Sequence, residues 1–364
     1  MARAQTRLLR HCTEPRSRHL PMISIARSHV NLNHPHDGYR AFLLDMDGVL
    51  HQFGHGVPGA TEFLQFLLDD NMPFTVITNE CRYTAAGLAE KLEGILDVRI
   101  PTSQIYTAAN SVRDYLARGV RRGWSGNVFA IGEEGLVANV REALQDTPGC
   151  RVITPRDPPE ADLYCDIVVI GTVQTGGPND SWCSAERASD FLRKGAKLLY
   201  SNPDSYEVTR QGDFKFGCPM PVVNLLMSVT NCTAYNLGKP NPFMMRMAHK
   251  QLVETLYAGL SKAQRSFVQA DIALQDVLFV GDSLGTDVRT AIENEIDSAL
   301  VMSGTTNEEM LARSALRPNF VFDNIAGLHQ SLLDGTLSKT HAKRPNFGRD
   351  PLPTREQSEE VQSD

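Results

Sequence analysis

The stretch AFLLDMDGVL, residues 41–50, decides the fold of this chain. Its apolar run ends at Asp45 and Asp47, and Gly48 then allows the tight turn with which a strand can stop. An apolar run of this kind is typical of a strand in the middle of a parallel sheet, and ligands of such sheets bind beyond the strands' carboxyl ends. Because strand side chains alternate with a period of two, we expect both carboxylates on the same side, available for chemistry or for a cation.

A D-x-D-G string alone has two simpler interpretations. It can be a turn whose acids are only solvated, or it can open a calcium loop of the form D-x-[DN]-x-[DN]-G-x5-E. In a loop that begins at Asp45, the fifth, sixth and twelfth positions are Val49, Leu50 and Gly56. Such a loop lacks most of the oxygen ligands that calcium needs, which disfavours the calcium site. The solvated turn stays open at this point.

The composition is that of a globular protein with a sizeable core. The chain has 364 residues, enough for one large or two ordinary domains, with 41 % hydrophobic and 22 % charged residues. No apolar run approaches the roughly 18 residues that suggest a membrane span, so no membrane association is expected. The seven cysteines are scattered without a C-x-x-C pair. This pattern disfavours a disulfide framework or a structural zinc site and favours a reducing compartment.

The charge is distributed unevenly. Residues 1–40 carry seven arginines against two acids, a net charge of +5, which leaves −12 for residues 41–364. The acidic body lacks the basic footprint of a nucleic-acid binder. The arginine-rich, acid-poor start is typical of an organelle transit peptide, whereas a basic extension without a special role leaves the protein cytoplasmic. The expected location is therefore the cytoplasm, with the mitochondrion or another organelle as the alternative.

Three segments are expected to lie outside the folded body or to carry no chemistry. Residues 1–38 predict a disordered basic extension, in which His34 and His36 form an H-x-H pair without acidic or thiol partners for a metal. Residues 258–274 contain no recognisable chemistry and are interpreted as an insertion. From residue 338 onward the Pro- and charge-rich sequence predicts a disordered tail, 338–364.

Alternating strand and helix patterns predict an α/β fold. Residues 60–70 have the broad apolar face of a helix, and residues 74–77 form a second apolar strand that ends in Thr78. The strand–helix–strand order places the Thr78 hydroxyl at the same sheet edge as the two acids. Residues 105–118 carry apolar side chains near the helical period and are predicted as one helix. We therefore predict a Rossmann-like, doubly wound parallel sheet.

A second set of strands and helices interrupts this core. A linker begins near residues 119–126, and a further α/β alternation follows. The chain returns to the first pattern at GKPNP, which contains Lys239, and a later buried strand ends at Asp282, in the loop that also carries Asp287. The prediction is a core, 39–124 and 237–337, with an inserted unit, 125–236.

Four strand-end or loop sites now stand in order along the chain: the Asp45/Asp47 pair, Thr78, Lys239 and the Asp282/Asp287 pair. Together with their strands, over about residues 40–335, they resemble the haloacid dehalogenase superfamily of phosphohydrolases. DMDGVL is similar to the first motif of that family, VITN to the second, GKPNP to the third and VGDSLGTD to the fourth.

The place of the insertion narrows the resemblance to one branch. The first two motifs are close together, but 161 positions separate Thr78 from Lys239, far more than one crossover requires. An insertion at this point resembles a type II cap. The strings DIVVIG and KGAKLLYSNPDS look like class IIA, the branch of the 4-nitrophenylphosphatases and of sugar- or nucleotide-phosphate phosphatases. In that branch the cap covers the site, so Asn202 and Asp204 of the second string are candidate substrate contacts.

The resemblance implies a phosphatase that acts on a small phosphorylated metabolite, such as a sugar phosphate or nucleotide, through an aspartyl-phosphate. In the positions that match, Asp45 is the nucleophile and Asp47 the general acid and base. The cofactor implied is Mg2+, held by Asp45, the backbone carbonyl of Asp47, and Asp282. Asp287 is then expected to orient the loop without binding the ion directly.

The phosphate-binding residues implied by the family motifs are Thr78, Asn79 and Lys239. The Lys239 ammonium would also hold Asp45 in its ionised form. Simpler interpretations are a surface lysine before a turn for Lys239 and a helix N-cap for Thr78, a role that the threonine can fill at the same time.

The chain departs from the family pattern at two places. Glu80 adds a negative charge next to the second motif, and we expect its side chain to point away from the phosphate. The glycine-rich P-G-x-G string usual in the cap is replaced by GCPMP at 217–221.

Alternatives to the phosphatase are a phosphotransferase on the same scaffold and a non-catalytic protein that interacts through its cap. A dehalogenase is disfavoured because its chemistry does not call for Asp47 as the acid. The resemblance also allows a homodimer through the cap.

Overall fold

The computed structural model describes residues 38–158, 164–173, 181–258, 272–339 and 342. The predictions for the basic extension, for most of residues 258–274 and for most of the tail fall outside this part of the chain.

The described residues form two parallel sheets and two short antiparallel hairpins. The strands, in chain order, are β1 (Ala41–Leu44), β2 (His51–Gln52), β3 (His55–Gly56), β4 (Phe74–Thr78), β5 (Ile105–Thr107), β6 (Val128–Ile131), β7 (Val152–Ile153), β8 (Ile167–Ile170), β9 (Lys197–Tyr200), β10 (Glu207–Val208), β11 (Phe214–Lys215), β12 (Ala234–Asn236), β13 (Val277–Gly281), β14 (Asp297–Val301) and β15 (Phe320–Phe322).

Helices connect most of these strands. They span Ala60–Asp69, Ala85–Leu96, Ala108–Val120, Glu134–Leu144, Ser181–Arg193, Pro219–Thr230, Pro242–Leu256, Arg289–Glu293, Glu308–Arg313 and Ile325–Leu333, with a π-helical turn at Leu284–Val288. Within the described ranges, no helix combines the length and the apolar character needed to cross a membrane.

The larger sheet has six parallel strands in the order β15-β14-β13-β1-β4-β5. Strand β1 lies between β13 and β4, where the strand order reverses, which is the position at which open α/β sheets bind ligands. Its side chains alternate between two hydrophobic clusters: Phe42 and Leu44 pack on one face, Ala41 and Leu43 on the other. The predicted Rossmann-like parallel sheet is confirmed, and its central strand is covered on both faces.

The smaller sheet also consists of parallel strands, in the order β12-β9-β8-β6-β7. All five strands come from residues 128–236, between β5 and β13 of the larger sheet. Two hairpins accompany the sheets: β2–β3 follows the first strand of the core, and β10–β11 projects from the inserted unit. We call them the flap hairpin and the cap hairpin.

The prediction of one helix over residues 105–118 was wrong at its start. Residues 105–107 form β5, the edge strand beside β4, and the helix begins at Ala108. Thr107 caps it: its hydroxyl accepts a hydrogen bond from the Asn110 amide, and the Asn110 side chain accepts one from the Thr107 amide. This reciprocal cap satisfies donors that the first helical turn leaves unpaired, so it sets the boundary against the apolar periodicity.

Candidate active site

Asp45, Lys239 and Asp287 form a buried group at the carboxyl ends of β1 and β13. The Lys239 Nζ lies 2.6 Å from Oδ1 of Asp45 and 2.8 Å from Oδ1 of Asp287, and only 2 % of the lysine side chain is exposed. Asp45 follows β1 directly, and its amide donates to the Val280 carbonyl, which continues the pairing with β13. Lys239 precedes Pro240 through a cis peptide bond. The interpretation of Lys239 as a surface lysine is therefore wrong.

Asp282 follows β13 directly, and Asp287 lies in the π-helical turn after it, where its side chain organises the backbone. Its Oδ2 accepts hydrogen bonds from the amides of Asp282 and Ser283, at 3.1 and 3.0 Å. With Oδ1 bound to Lys239, both Asp287 oxygens are engaged within the protein. Asp282 in turn accepts a hydrogen bond at Oδ2 from the Thr305 amide. Carboxylate oxygens of Asp45, Asp282 and Asp287 lie within 4.8 Å of one another.

These buried carboxylates outnumber the cations near them. Burial, and next the charge of Asp287, raise the pKa of Asp45 well above its usual range against the opposing charge of Lys239. Burial and Asp287 likewise raise the pKa of Asp282 to about 7. Burial disfavours the Lys239 ammonium, but Asp287 and Asp45 outweigh that effect and raise its pKa. Burial is thus the largest cause of the two raised carboxyl pKa values, and it acts together with the repulsion among three acids that share one ammonium.

Asp47 lies at the edge of the same cleft, opposite His51. Strand β1 ends at Leu44, so the turn after it, rather than strand alternation, directs both acids into one cleft. The Asp47 side chain is 64 % exposed, and its Oδ1 lies 3.5 Å from Nε2 of the buried His51. Desolvation by the cleft walls, followed by repulsion from Glu80, raises the pKa of Asp47 to about 6.

The loop after β4 holds the Lys239 loop in place. The Lys239 amide donates to Oδ1 of Asn79 at 2.8 Å, and the Asn79 side-chain nitrogen donates to the Lys239 carbonyl at 3.4 Å. The Asn79 side chain thus braces the second and third motifs against each other. Thr78 is buried beside it and lines the cleft. Its hydroxyl accepts a hydrogen bond from the Glu80 amide, but the next helix begins at Ala85 and is capped by Thr84, so the interpretation of Thr78 as a helix N-cap is wrong.

Glu80 lines the cleft, but Arg82 neutralises it. The Arg82 guanidinium contacts both Glu80 oxygens, the shortest contact being 2.6 Å, and the amides of Cys81 and Arg82 donate to Oε1. Burial works against the charged form, but the hydrogen bonds and charge of Arg82 lower the pKa of Glu80. Arg82 also reaches Glu207 of the cap hairpin at 2.9 Å. The extra charge at the second motif is therefore part of a link between the loop after β4 and the cap hairpin.

The inserted unit contributes the second wall of the cleft. Asn202 is buried and donates to the Asn79 carbonyl at 3.1 Å, so it joins the segment after β9 to the loop after β4. Asp204 faces the cleft, and burial raises its pKa to about 6. At the rim, the flap hairpin meets the cap hairpin where Arg210 Nη1 lies 3.2 Å from His55 Nε2. Both candidate cap residues from the sequence thus lie at the cleft, Asn202 as a connector and Asp204 as a lining residue.

The cleft has a volume of about 830 Å³, and every predicted site residue except Asp287 lines it. Asp287 does not line the cleft, but it contacts Lys239, which does. Sequence reasoning did not find His51, Arg82 or Thr305. Thr305 follows β14 at the same sheet edge, so the strand-end rule applied to that strand would have found it.

Two family profiles match this chain, one over the first part of the core and the start of the inserted unit, the other over the second part of the core. The profile of the haloacid dehalogenase-like hydrolases matches residues 42–144, and a second one, described as HAD-hydrolase-like, matches residues 236–328. The two matches contain all four strand-end motifs.

Three proteins illustrate the similarity. A dihydroxyacetone phosphatase of Corynebacterium glutamicum is 29 % identical over 288 residues, which cover 79 % of this chain and 90 % of that protein. The ribonucleotide monophosphatase NagD of Escherichia coli is 25 % identical over 284 residues, covering 78 % and 96 %, and its solved structure gives a TM-score of 0.62. The structure of the glycerol phosphate phosphatase Rv1692 of Mycobacterium tuberculosis, in complex with magnesium, is 23 % identical with a TM-score of 0.62, covering 81 % of this chain and 78 % of that one.

Proposed function

The chain belongs to the haloacid dehalogenase-like hydrolases, in their class IIA branch, and from this premise we propose that it is a magnesium-dependent phosphatase of a small phosphorylated metabolite. Its class of reaction is the hydrolysis of a phosphoric monoester. The observation that carries the proposal is the buried contact of Lys239 with both Asp45 and Asp287, beside Asp282 and at the edge of an open cleft.

Asp45 is the nucleophile in this proposal. Its carboxylate attacks phosphorus, the bond from phosphorus to the leaving oxygen breaks, and the phosphoryl group stays on Asp45 as an aspartyl-phosphate. Lys239 keeps one Asp45 oxygen fixed at 2.6 Å and favours the ionised form that the attack requires. Because the pair is buried, the nucleophile is held in one orientation, which lowers the entropic part of the barrier.

Asp47 carries the proton in both halves of the reaction. Because its pKa is raised to about 6, part of the Asp47 population is protonated near neutral pH and can give its proton to the leaving oxygen as the P–O bond breaks. The ionised Asp47 then removes a proton from a water molecule, whose oxygen attacks the aspartyl-phosphate. Phosphate leaves, and the Asp45 carboxylate is restored.

The phosphoryl oxygens are held by Thr78, by backbone amides near Asn79, and by the ammonium of Lys239. Thr78 is buried at the end of β4, next to β1 in the sheet, so its hydroxyl faces the same edge as Asp45. The Asn79 side chain fixes the distance between this edge and the Lys239 loop. Donors fixed in this way stabilise the charge that accumulates on the transferring phosphoryl group.

The acidic group fits a divalent cation of the magnesium type. Three buried carboxylates against one ammonium leave two negative charges uncompensated, an arrangement that is unfavourable in a protein interior unless a cation or protons neutralise it. Asp45, Asp282 and the backbone carbonyl of Asp47 would hold the ion, and oxygen donors suit Mg2+. Asp287 is left to position Asp282 and Lys239, since both its oxygens are already bound. When bound, the ion screens the repulsion between the carboxylate nucleophile and the phosphate.

Residues 125–236 act as the cap in this proposal, and they select the leaving group. A cleft of about 830 Å³ admits a metabolite of the size of a sugar phosphate or a nucleotide. Two of the similar proteins are named as a dihydroxyacetone phosphatase and a ribonucleotide monophosphatase, and the substrates in these names span the sizes from a small sugar phosphate to a nucleotide. Asp204 and residues of the cap hairpin line the cleft, so in this proposal they contact the leaving group. A screen of sugar phosphates, glycerol phosphate and nucleotides is the direct way to identify the substrate.

The test is phosphate release from 4-nitrophenyl phosphate with and without magnesium. We expect turnover by the wild type that requires the metal, a loss of at least about a thousandfold in Asp45→Asn, and no loss in Asp146→Asn, an exposed aspartate in the inserted unit. Trapping with acid should recover a phosphorylated enzyme from the wild type but not from Asp45→Asn. Wild-type protein without turnover, or an unchanged rate in Asp45→Asn, would refute the phosphatase.

A further inference from the structure

His51 is a buried histidine of the flap hairpin for which the catalytic scheme above has no role. Its side chain is 4 % exposed, and neither ring nitrogen has a hydrogen-bond partner among the described residues. A buried donor without a partner costs about 1–3 kcal/mol, so native proteins rarely keep one without a reason. The oxygen that can satisfy it is Oδ1 of Asp47, which lies 3.5 Å from Nε2.

The backbone makes this approach a fixed feature of the turn. Asp47 and His51 form an isolated backbone bridge, the Gly48 amide donates to the His51 carbonyl at 2.8 Å, and the His51 amide donates to the Met46 carbonyl at 3.2 Å. The imidazole is therefore held beside Asp47, whereas the Asp47 carboxylate, 64 % exposed, can rotate. A small rotation of the carboxylate converts the 3.5 Å separation into a hydrogen bond of about 2.9 Å.

We propose that His51 is a positioning residue for the general acid: its Nε2–H donates to Oδ1 of Asp47 and leaves Oδ2 to carry the proton that the leaving oxygen receives. The inference rests on the proposed function and deepens it. Without His51 the Asp47 carboxyl group is free to rotate, and the proton is less often in line with the leaving oxygen. His51 acts only as a hydrogen-bond donor and keeps its own proton throughout the reaction.

This role predicts a loss that depends on the leaving group. A poor leaving group such as phenolate needs the proton of Asp47, whereas 4-nitrophenolate departs with little help. We expect His51→Leu to lower kcat/KM for phenyl phosphate by roughly tenfold to a hundredfold, but for 4-nitrophenyl phosphate by less than about threefold. The ratio kcat/KM is the appropriate measure, since it reports the steps up to formation of the aspartyl-phosphate.

Two further variants separate positioning from packing. His51→Gln retains an N–H that can reach Asp47 and should restore most of the activity on phenyl phosphate. His329→Gln is the matched control: His329 also has an unpartnered Nε2 among the described residues, but it packs against Phe63 and Phe66, far from the lining of the cleft. If this substitution changes kcat/KM at all, it should change the values for the two substrates equally.

The outcomes are distinct. Equal losses on phenyl and 4-nitrophenyl phosphate, no loss at all in His51→Leu, or no rescue by His51→Gln would overturn the positioning role. If His51→Leu does not fold, His51→Asn, whose shorter amide does not reach Asp47, replaces it in the same comparison. Absence of turnover by the wild type refutes the proposed function itself, and is thereby distinguished from equal losses, which refute only the role of His51.

Discussion

The ammonium of Lys239 lies 2.6 Å from Oδ1 of Asp45, although 194 positions separate the two residues along the chain. The whole inserted unit lies between them in sequence, so the contact depends on the chain returning to the core at the correct sheet edge. Buried charge pairs of this kind contribute little net stability, yet they are strongly destabilising when one partner is removed. We infer that the pair is retained for the reactivity of Asp45 rather than for the fold.

Lys239→Met should therefore damage both stability and activity. Methionine fills similar volume but leaves the buried Asp45 and Asp287 without their cation. We expect the free energy of unfolding at pH 8, measured with urea in the absence of magnesium, to fall by about 3–5 kcal/mol, and kcat to fall by at least about a hundredfold. Lys250→Met is the control, because this exposed lysine contacts the exposed Glu254 at 3.5 Å, and its loss should change the free energy of unfolding by less than about 0.5 kcal/mol. Equal effects of the two substitutions would contradict the assigned role.

Magnesium should stabilise the protein more at pH 8 than at pH 5.5. The folded protein raises the pKa of Asp45 well above its usual range and that of Asp282 to about 7, so the native state binds more protons than the unfolded chain between pH 4 and 7. Stability without the metal is therefore present at low pH and is lost as pH rises through the folded pKa values. A bound cation replaces those protons.

Thermal unfolding at the two pH values, with EDTA and with excess magnesium, measures this effect. With EDTA we expect Tm to fall by at least about 3 °C between pH 5.5 and pH 8, because the Asp282 carboxyl group, whose pKa is raised to about 7, loses its proton over that interval. Magnesium should remove most of that fall. A Tm without metal that rises over the same interval, or a magnesium effect that is larger at pH 5.5, would show that the acidic group does not hold the ion.

The positions of the site residues along the strands could be predicted from sequence, because in parallel sheets the carboxyl ends of all strands meet at one edge. Asp45, Thr78 and Asp282 were found in this way, whereas Lys239, which follows β12 of the smaller sheet, was found from the GKPNP motif. The start of the helix at Ala108 was not, because the apolar period continues unchanged through β5 and only the side-chain cap of Thr107 marks the boundary.

The contacts across the cleft could not be predicted. Arg82 and Glu207 are 125 positions apart, and they meet only because the cap hairpin projects over the loop after β4. His51 lies four positions after Asp47, yet no local pattern indicates that its imidazole is buried and turned toward the carboxylate. Contacts of this kind depend on how the two sheets and their hairpins are placed, which is a tertiary property.

Arg82 should be needed chiefly to neutralise Glu80. Arg82→Met leaves a buried carboxylate beside the phosphate site, so we expect kcat/KM to fall by roughly tenfold to a hundredfold. In the double variant Glu80→Gln/Arg82→Met the repulsion is absent, and kcat/KM should return to within about fivefold of the Glu80→Gln value. Steady-state kinetics on one substrate for the four proteins completes this double-mutant cycle.

Arg113 offers a matched control for this cycle. Like Arg82, it is about one quarter exposed and contacts two acids, Asp114 and Glu142, but it does not line the cleft. Arg113→Met should leave kcat/KM within about twofold of the wild type. If the double variant is as impaired as Arg82→Met, the guanidinium itself contacts the substrate, and its role is not limited to Glu80.

Gly48→Ala should disable the acidic group while the fold persists. Gly48 has φ +75°, and a Cβ there would lie 2.5 Å from Oδ2 of Asp282 and 2.8 Å from the Gly304 Cα. Gly123 has a similar φ of +86° but nothing within 4 Å of the position of a Cβ. Both substitutions carry the strain of a left-handed residue, about 1–2 kcal/mol each, but only the first displaces the carboxylate proposed to hold magnesium.

Comparison of the two variants separates the effect of backbone strain from the effect of displacing the Asp282 carboxylate. We expect Gly123→Ala to lower Tm by a few degrees with unchanged kcat, and Gly48→Ala to raise the magnesium concentration needed for half-maximal activity by at least about tenfold. Magnesium titrations of both variants, together with their thermal unfolding, provide the measurement. Similar magnesium requirements in the two variants would mean that Asp282 can move away from the new methyl group without loss, and the ion would then not depend on the position that Asp282 now has.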